Sequence, residues 1–302
     1  MTTTDTPANS SQNVLVDSHA GQLSHTGRLR RLAAFTQNTA GGNPAGVWIG
    51  ETLPSSEEMQ KIATQVGFSE TAFIAPASGK VRMIRYYSPE AEVAFCGHAT
   101  IASGVALGDS DGDNTYLLNT TVGEVPVTVQ TRNNLRTAAL TSVEPEYQDA
   151  PESLLENILA ILSWKRDELD PAIPPARAYA GNWHFVLAAA SKERLDNLQY
   201  DFEALKQLML DDDLTTLQLV WRDSEGVFHS RNPFPVGGVV EDPATGAAAA
   251  ALGGYLREAG LIKAPAEITL RQGEIMGRPG LLDVSIPVTG GISVSGTAVS
   301  LD

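Results

Sequence analysis

The chain has 302 residues, of which 42% are hydrophobic and 19% charged, and its 36 acidic residues outnumber its 21 basic residues. That amount of apolar sequence is enough for a sizeable core spread over two domains. The formal net charge of −15 repels phosphate backbones and anionic lipid, so we expect neither nucleic acid nor a membrane as a partner.

Cys96 is the single cysteine, which excludes an intrachain disulfide and a zinc site with several thiolate ligands. No run of about 18 apolar residues is present, so no membrane-spanning helix is predicted. Residues 1–27 are rich in Thr, Ser, Asn and Gln and lack the apolar centre of a secretory signal. We expect them to be a disordered extension or a tag on a cytoplasmic protein.

Hydrophobic patterns and turn residues predict a mixed order of strands and helices. The predicted strands are 29–35, 71–74, 81–87, 116–118, 125–130, 184–190, 217–221, 227–230, 268–272, 281–286 and 292–301. The predicted helices are 55–66, 98–107, 151–162, 202–209 and 245–259, with a turn at 109–114. Because strands and helices do not alternate strictly, the pattern indicates an α+β architecture.

A domain boundary is predicted near residues 142–151, where a Glu/Pro-containing stretch passes into a new helix. It divides the chain into an N-terminal half, 28–142, and a C-terminal half, 143–288. The last strand, within 289–302, is placed so that it can return to the N-terminal half.

The two halves carry an internal repeat. Segments 97–107 and 246–256 both fit the pattern G-x-A-x-x-A-x-G-x-x-L, and upstream segments beginning at Gly42 and Gly181 share G-N-x-x-x-V. The two pairs occur in the same order, which indicates duplication of one half-domain.

The two glycine-led, alanine-rich segments have two interpretations. Small side chains allow a helix to pack very closely. Glycine at a helix start also leaves the first backbone N–H groups unobstructed, and these groups together with the helix dipole attract an anion. If the halves are related by a pseudo-twofold axis, the starts at Gly97 and Gly246 face each other across a cleft that suits a substrate carboxylate.

Three polar residues near these segments could carry chemistry. Glu70, between Phe68 and Phe73, is either a partly desolvated carboxylate suited to proton transfer or a strand-edge glutamate pointing to water. Asp242 either caps the following helix or belongs to the site. His98 is either a buried polar group or a hydrogen-bond donor at the helix start.

Five motifs follow one another along the chain. They are Gly42-Asn43-Pro44-Ala45-Gly46-Val47, Phe68-Ser69-Glu70-Thr71-Ala72-Phe73, Arg85-Tyr86-Tyr87-Ser88-Pro89, Glu92-Val93-Ala94-Phe95-Cys96-Gly97-His98-Ala99-Thr100 and Glu241-Asp242-Pro243-Ala244-Thr245-Gly246. In this order they resemble the phenazine-biosynthesis PhzF-like family, from about Arg28 to the C-terminus. The resemblance implies the diaminopimelate-epimerase-like fold, in which two similar halves each wrap a sheet around a central helix.

The resemblance also implies a cofactor-independent isomerase or epimerase without a metal, usually a homodimer. The phenazine-pathway enzyme of this family moves a proton between ring carbons of a dihydro-hydroxyanthranilate. Glu70 matches the family's general acid/base, and His98 and Asp242 match residues that orient the substrate or assist the proton shift. The expected contacts to a substrate carboxylate are at Asn43, Gly97, Ala99, Gly246 and Ala247.

Ala247 departs from the family pattern, because the phenazine enzyme has a serine at this position. The missing hydroxyl removes a hydrogen bond worth about 1 kcal/mol. We therefore expect a small carboxylate-bearing substrate without assigning it to phenazine synthesis.

Two alternatives stay open. A thiol-assisted amino-acid epimerase would use Cys96, which precedes a helix start where the pKa of a thiol is lowered. However, Thr245 occupies the corresponding position in the repeat. The second alternative is a catalytically silent binding or regulatory protein on the same fold.

Overall fold

The computed structural model describes residues 27–132 and 134–302. The predicted extension, 1–27, lies outside these residues except for Gly27, which begins the first strand. The helices are α1 Ser56–Val66, α2 Gly97–Asp111, α3 Glu152–Leu162, α4 Lys192–Asp196, α5 Phe202–Asp211 and α6 Gly246–Glu258.

The strands pair into one large sheet and one short hairpin. In chain order they are β1 Gly27–Ala34, β2 Asn43–Gly50, β3 Glu70–Ser78, β4 Val81–Tyr87, β5 Glu92–Val93, β6 Thr115–Thr120, β7 Gly123–Arg132, β8 Leu135–Thr141, β9 Glu146–Asp149, β10 Ala176–Tyr179, β11 Trp183–Ala188, β12 Thr216–Arg222, β13 Phe228–Arg231, β14 Pro233–Phe234, β15 Val239–Glu241, β16 Ala266–Gln272, β17 Gly280–Ile286 and β18 Ser293–Ser300.

The N-terminal half is a closed barrel around α2. Its strands follow the order β1-β2-β3-β4-β6-β7-β8-β18, and β18 pairs back onto β1 to close the ring. Every residue of α2 from His98 to Gly108 is buried. A helix that is buried all round has no polar face, which explains why this segment is rich in small apolar residues.

The C-terminal half likewise wraps its strands around a central helix, α6. Its strands continue from β18 in the order β17-β16-β13-β12-β11-β10-β9, and α6 contacts β17, β10, β9 and β12. Residues Ala248–Leu256 of this helix are buried. The predicted α+β architecture, with each half wrapped around a central helix, is confirmed. Because β18 pairs with β8 and β1 as well as with β17, the last strand joins the strands of the two halves into one sheet.

The connections of the two halves also match. In the first half, α1 lies in the connection between the parallel strands β2 and β3, and α2 lies in the connection between the parallel strands β4 and β6. In the second half, α4 and α5 lie in the connection between the parallel strands β11 and β12, and α6 lies in the connection between the parallel strands β13 and β16. The segments beginning at Gly42 and Gly181 lead into β2 and β11, which are equivalent strands in this scheme.

Several elements were missed by the sequence patterns. Strands β2, β8, β9 and β10 are absent from the predicted set, because their alternation is weak and their pairing is supplied by neighbouring strands. Helix α2 also continues to Asp111, through the first part of the turn predicted at 109–114. Ion pairs of Asp109 with Arg136 and of Asp111 with Arg82 hold this last turn against the barrel.

No helix within residues 27–132 and 134–302 has the length and apolar character needed to cross a bilayer.

The two halves are joined by polar contacts as well as by β18. Asn43 is 2% exposed, and its Nδ2 donates to Asp242 Oδ1 (2.8 Å) and to the Ala244 carbonyl (3.1 Å). From the other half, the Arg278 guanidinium donates to the carbonyl oxygens of Gly42 (2.9 Å) and Gly41 (3.0 Å). The Asn43 contacts tie the start of β2 to the loop that precedes α6, and the Arg278 contacts tie the residues just before β2 to the loop between β16 and β17.

We expect Gly104→Ala to destabilise the protein, although the same change stabilises an exposed helix by about 1 kcal/mol. A Cβ at this position would lie 2.7 Å from Ala138 Cβ and 2.8 Å from Val127 Cγ1, and such overpacking costs about 1–3 kcal/mol. Chemical denaturation measures the effect. The control is Ser103→Ala on the same helix, which removes a buried hydroxyl that has no hydrogen-bond partner in the described chain. An increase in stability for Gly104→Ala would contradict the packing described here.

We expect Asn43→Ala to lower the free energy of unfolding by about 1–3 kcal/mol, because the buried Ala244 carbonyl loses its donor. Burial already raises the pKa of Asp242. The pKa should rise further in the variant, because the hydrogen bond from Asn43 stabilises the ionised carboxylate and is lost. Denaturation and NMR titration of labelled aspartate measure the two effects. Asn182 occupies the equivalent position in the repeat but is exposed, so Asn182→Ala should change neither quantity. Equal effects from the two variants would show that Asn43 is not the link between the halves.

Candidate active site

A turn after α1 positions Glu70. The helix ends at Gly67, which has φ 70°, and the Gly67 N–H donates to the Ala63 carbonyl. Glycine suits this left-handed cap because it lacks a Cβ. The chain then reverses, and Glu70 becomes the first residue of β3. Its side chain is 17% exposed, so it lies at the edge of the core, as a partly desolvated carboxylate would.

Glu70 faces His98. The distance from Glu70 Oε2 to His98 Nε2 is 3.4 Å, and Ser69 Oγ lies 3.5 Å from the same nitrogen. Glu70 Oε2 is buried and has no hydrogen-bond partner among the described residues. A buried carboxylate oxygen that is not satisfied by the protein is available to a substrate or to a proton.

Cys96 also lies beside His98, with its sulfur within 4.8 Å of Glu70. Its Sγ lies 3.4 Å from His98 Nδ1, and the residue is 7% exposed. Burial raises the pKa of the Cys96 thiol well above its usual value, and the negative charge of Glu70 raises it further. The lowered pKa expected from the helix start is therefore wrong, because desolvation of the thiolate outweighs the helix dipole.

Asp242 completes the cluster from the C-terminal half. Its carboxylate accepts hydrogen bonds from Asn43 Nδ2 and from Thr245 Oγ1 (2.5 Å). Burial raises the pKa of Asp242, while His98 and the two hydrogen bonds lower it and the charge of Glu70 raises it. The structure thus brings Glu70, His98 and Asp242 into one electrostatic group.

Gln272 holds the Asp242 loop, a role that the sequence patterns did not reveal. It is fully buried. Its Nε2 donates to the Asp242 carbonyl (2.7 Å) and to Thr245 Oγ1 (2.9 Å), and its Oε1 accepts from the Thr245 N–H (3.3 Å) and from Ser230 Oγ (3.3 Å). The Gln272-Gly273 pair is the sequence signal that could have identified it.

The starts of α2 and α6 meet beside this cluster. A Cβ built on Gly97 would lie 3.9 Å from Ala247 N. In the described chain neither helix has a side-chain cap or an acidic residue in its first turn. Their first N–H groups and dipoles therefore form an anion-binding environment.

The other predicted contact residues differ in accessibility. Gly97 and Ala247 are partly exposed, whereas Gly246 and Ala99 are buried. All four residues have no polar side chain and can offer only backbone groups to a carboxylate. Asn43 uses its amide to hold Asp242 and Ala244, which places it behind the cluster as a positioning residue. Glu70, Cys96 and His98 also have ligand atoms within 4.8 Å of one another, a spacing at which a metal ion could bind.

Comparisons with known proteins identify the family of the chain. The family model described as "Phenazine biosynthesis-like protein" matches residues 32–302. An isomerase of Bacillus subtilis named YfhB is 29% identical over 89% of this chain and 94% of its own length. An isomerase of Halalkalibacterium halodurans is 32% identical over 74% of this chain and 80% of its own length.

The crystal structure of a Bacillus anthracis phenazine biosynthesis protein of the PhzF family has the same fold. The TM-score is 0.79 at 24% identity, and the match covers 91% of this chain and 96% of that one. On the match of the family model over nearly all of the described residues, this chain belongs to the phenazine biosynthesis-like PhzF family and is an isomerase.

Proposed function

We propose that this isomerase moves a proton on carbon of a small carboxylate-bearing substrate, with Glu70 as the general acid/base and without a cofactor. The observation that carries the proposal is the free Oε2 of Glu70, 3.4 Å from His98 Nε2, beside two uncapped helix starts. A proton shift changes no oxidation state, so it requires an acid/base and an electron sink but no redox group.

The helix starts suit the substrate carboxylate. Backbone N–H groups at Gly97 and Gly246 would donate to its two oxygens, one from each half. The same positive dipoles stabilise negative charge that develops when a proton leaves the adjacent carbon. Binding between the halves also orients the substrate relative to Glu70.

The proton transfer involves two steps. Glu70 takes a proton from a substrate carbon, and the electrons of the broken C–H bond delocalise into the neighbouring unsaturated or carboxylate group. The protonated Glu70 then returns the proton to another carbon or to the other face, and the carboxylate is regenerated. His98 and Asp242 lie where they can donate to or balance the charge of the intermediate.

The thiol alternative is less well supported by the site. The raised pKa of Cys96 keeps its thiol protonated at neutral pH, and its repeat counterpart Thr245 donates its hydroxyl proton to Asp242. A symmetric pair of thiol bases is therefore absent from the chain. Loss of activity in Cys96→Ser with activity retained in Glu70→Gln would favour the thiol mechanism.

Ala247 affects which substrate binds rather than the acid/base chemistry of Glu70. Its methyl group is partly exposed at the start of α6, next to the expected position of the carboxylate. A substrate that needs a hydroxyl donor at this position would leave a polar group unpaired. We therefore propose a carboxylate substrate whose groups near α6 are apolar or are satisfied by backbone N–H groups.

From the family resemblance we also propose a cytoplasmic homodimer that acts on a small molecule. The net charge of −15 supports a partner other than nucleic acid or an anionic membrane.

We expect Glu70→Gln to lower kcat/KM by about 10²–10⁴-fold, because the amide cannot accept the substrate proton. The assay incubates the enzyme in D2O with a dihydro-hydroxyanthranilate and a panel of small carboxylates, and mass spectrometry detects isomerised or deuterated product. The matched control is Glu124→Gln, which changes an exposed glutamate on β7 in the same half and should retain activity. Wild-type turnover that survives in Glu70→Gln would contradict the proposed role.

A further inference from the structure

Three side chains of different ligand types converge at one point of the cleft. Glu70 offers a carboxylate oxygen, Cys96 a sulfur and His98 an imidazole nitrogen, all within 4.8 Å of one another. Sulfur, nitrogen and oxygen donors together suit zinc and similar thiophilic cations, whereas magnesium and calcium prefer oxygen donors alone.

The spacing is close to that of a tetrahedral site. Ligand atoms at about 2.0–2.3 Å from zinc lie roughly 3.3–3.7 Å apart. Here His98 Nε2 lies 3.4 Å from Glu70 Oε2 and 3.9 Å from Cys96 Sγ. The third spacing, between Glu70 and Cys96, is within 4.8 Å, so a cation would draw the carboxylate and the sulfur together.

A second observation points to a ligand at this position. Glu70 Oε2 is buried and makes no regular hydrogen bond among the described residues, and its contact with His98 Nε2 is 3.4 Å long. A cation at the centre of the three atoms would pair with this oxygen and remove the cost of leaving it unsatisfied.

The charges around the cluster also accommodate a cation. The carboxylates of Glu70 and Asp242 are both close enough to interact electrostatically with Cys96. A metal-bound thiolate would add a third negative charge. The two helix starts contribute roughly half a positive charge each, which leaves the site negative overall. A water or a carboxylate near the helix starts can fill the fourth position.

We propose that Glu70, Cys96 and His98 form a binding site for a thiophilic divalent cation such as Zn²⁺, which blocks the active site. On binding, the Cys96 S–H bond breaks, its proton passes to solvent, and a sulfur–metal bond forms without any change in oxidation state. The blocking effect rests on the proposed role of Glu70, because a coordinated carboxylate cannot take a substrate proton. The binding itself does not depend on that role.

Cobalt titration of the purified protein tests the site directly. We expect Co²⁺ to produce a thiolate-to-metal charge-transfer absorption that Zn²⁺ displaces and Mg²⁺ does not. Cys96→Ser should abolish this absorption and weaken Zn²⁺ binding at least roughly tenfold, measured by competition with a chromophoric chelator. Circular dichroism checks that the variant is folded.

The matched control is His229→Gln. His229 contacts Glu274 (2.9 Å) and Asp223 (3.5 Å) rather than any of the three proposed ligands, and its removal should leave Zn²⁺ affinity and the cobalt absorption unchanged. A wild-type measurement needs no variant: Zn²⁺ should slow alkylation of the single cysteine, read by mass spectrometry.

Absence of the charge-transfer absorption in wild type, or equal Zn²⁺ affinity in Cys96→Ser, would overturn the metal site. These readouts do not require turnover, so they test metal binding independently of the proposed catalytic role of Glu70. If the metal binds but turnover is unaffected by Zn²⁺, the metal site stands and the proposed role of Glu70 is overturned.

Discussion

The proposed site depends on the uncapped backbone N–H groups at the starts of α2 and α6. Each helix is buried along nearly its whole length inside its own half, so its first turn is the part that can reach a ligand. The duplicated topology brings the two starts together, with Gly97 close to Ala247 N. The unpaired N–H groups and the positive ends of both helix dipoles attract negative charge at this point. An anionic group is therefore favoured between the halves.

The different roles proposed for Glu70 and Asp242 follow from their different surroundings. The carboxylate of Asp242 accepts hydrogen bonds from the side chains of Asn43 and Thr245, and its backbone carbonyl accepts one from the Gln272 side chain. Glu70 Oε2 lies beside His98 and accepts no hydrogen bond from the described residues. A satisfied carboxylate orients and balances charge, whereas an unsatisfied one is free to accept a proton. The same feature makes Glu70 available to a cation.

The sequence predicted the elements whose signals are local. Ser55 caps α1 with Glu58 in a capping box. The glycine-led repeat identified both central helices, and the resemblance of the five motifs to the PhzF-like family implied the fold. Features that depend on distant residues were missed. The strand β8 owes its place to pairing with β7 and β18. The burial that raises the pKa of Cys96, and the hydrogen bonds of Gln272, arise only when the halves assemble.

The most direct test of this account is a crystal structure with a small carboxylate bound. The account predicts carboxylate oxygens within hydrogen-bond distance of N–H groups from both α2 and α6, and the adjacent carbon facing Glu70. A carboxylate held by arginine or lysine side chains elsewhere, with Glu70 turned away from it, would contradict the central claim that the paired helix starts form the substrate site.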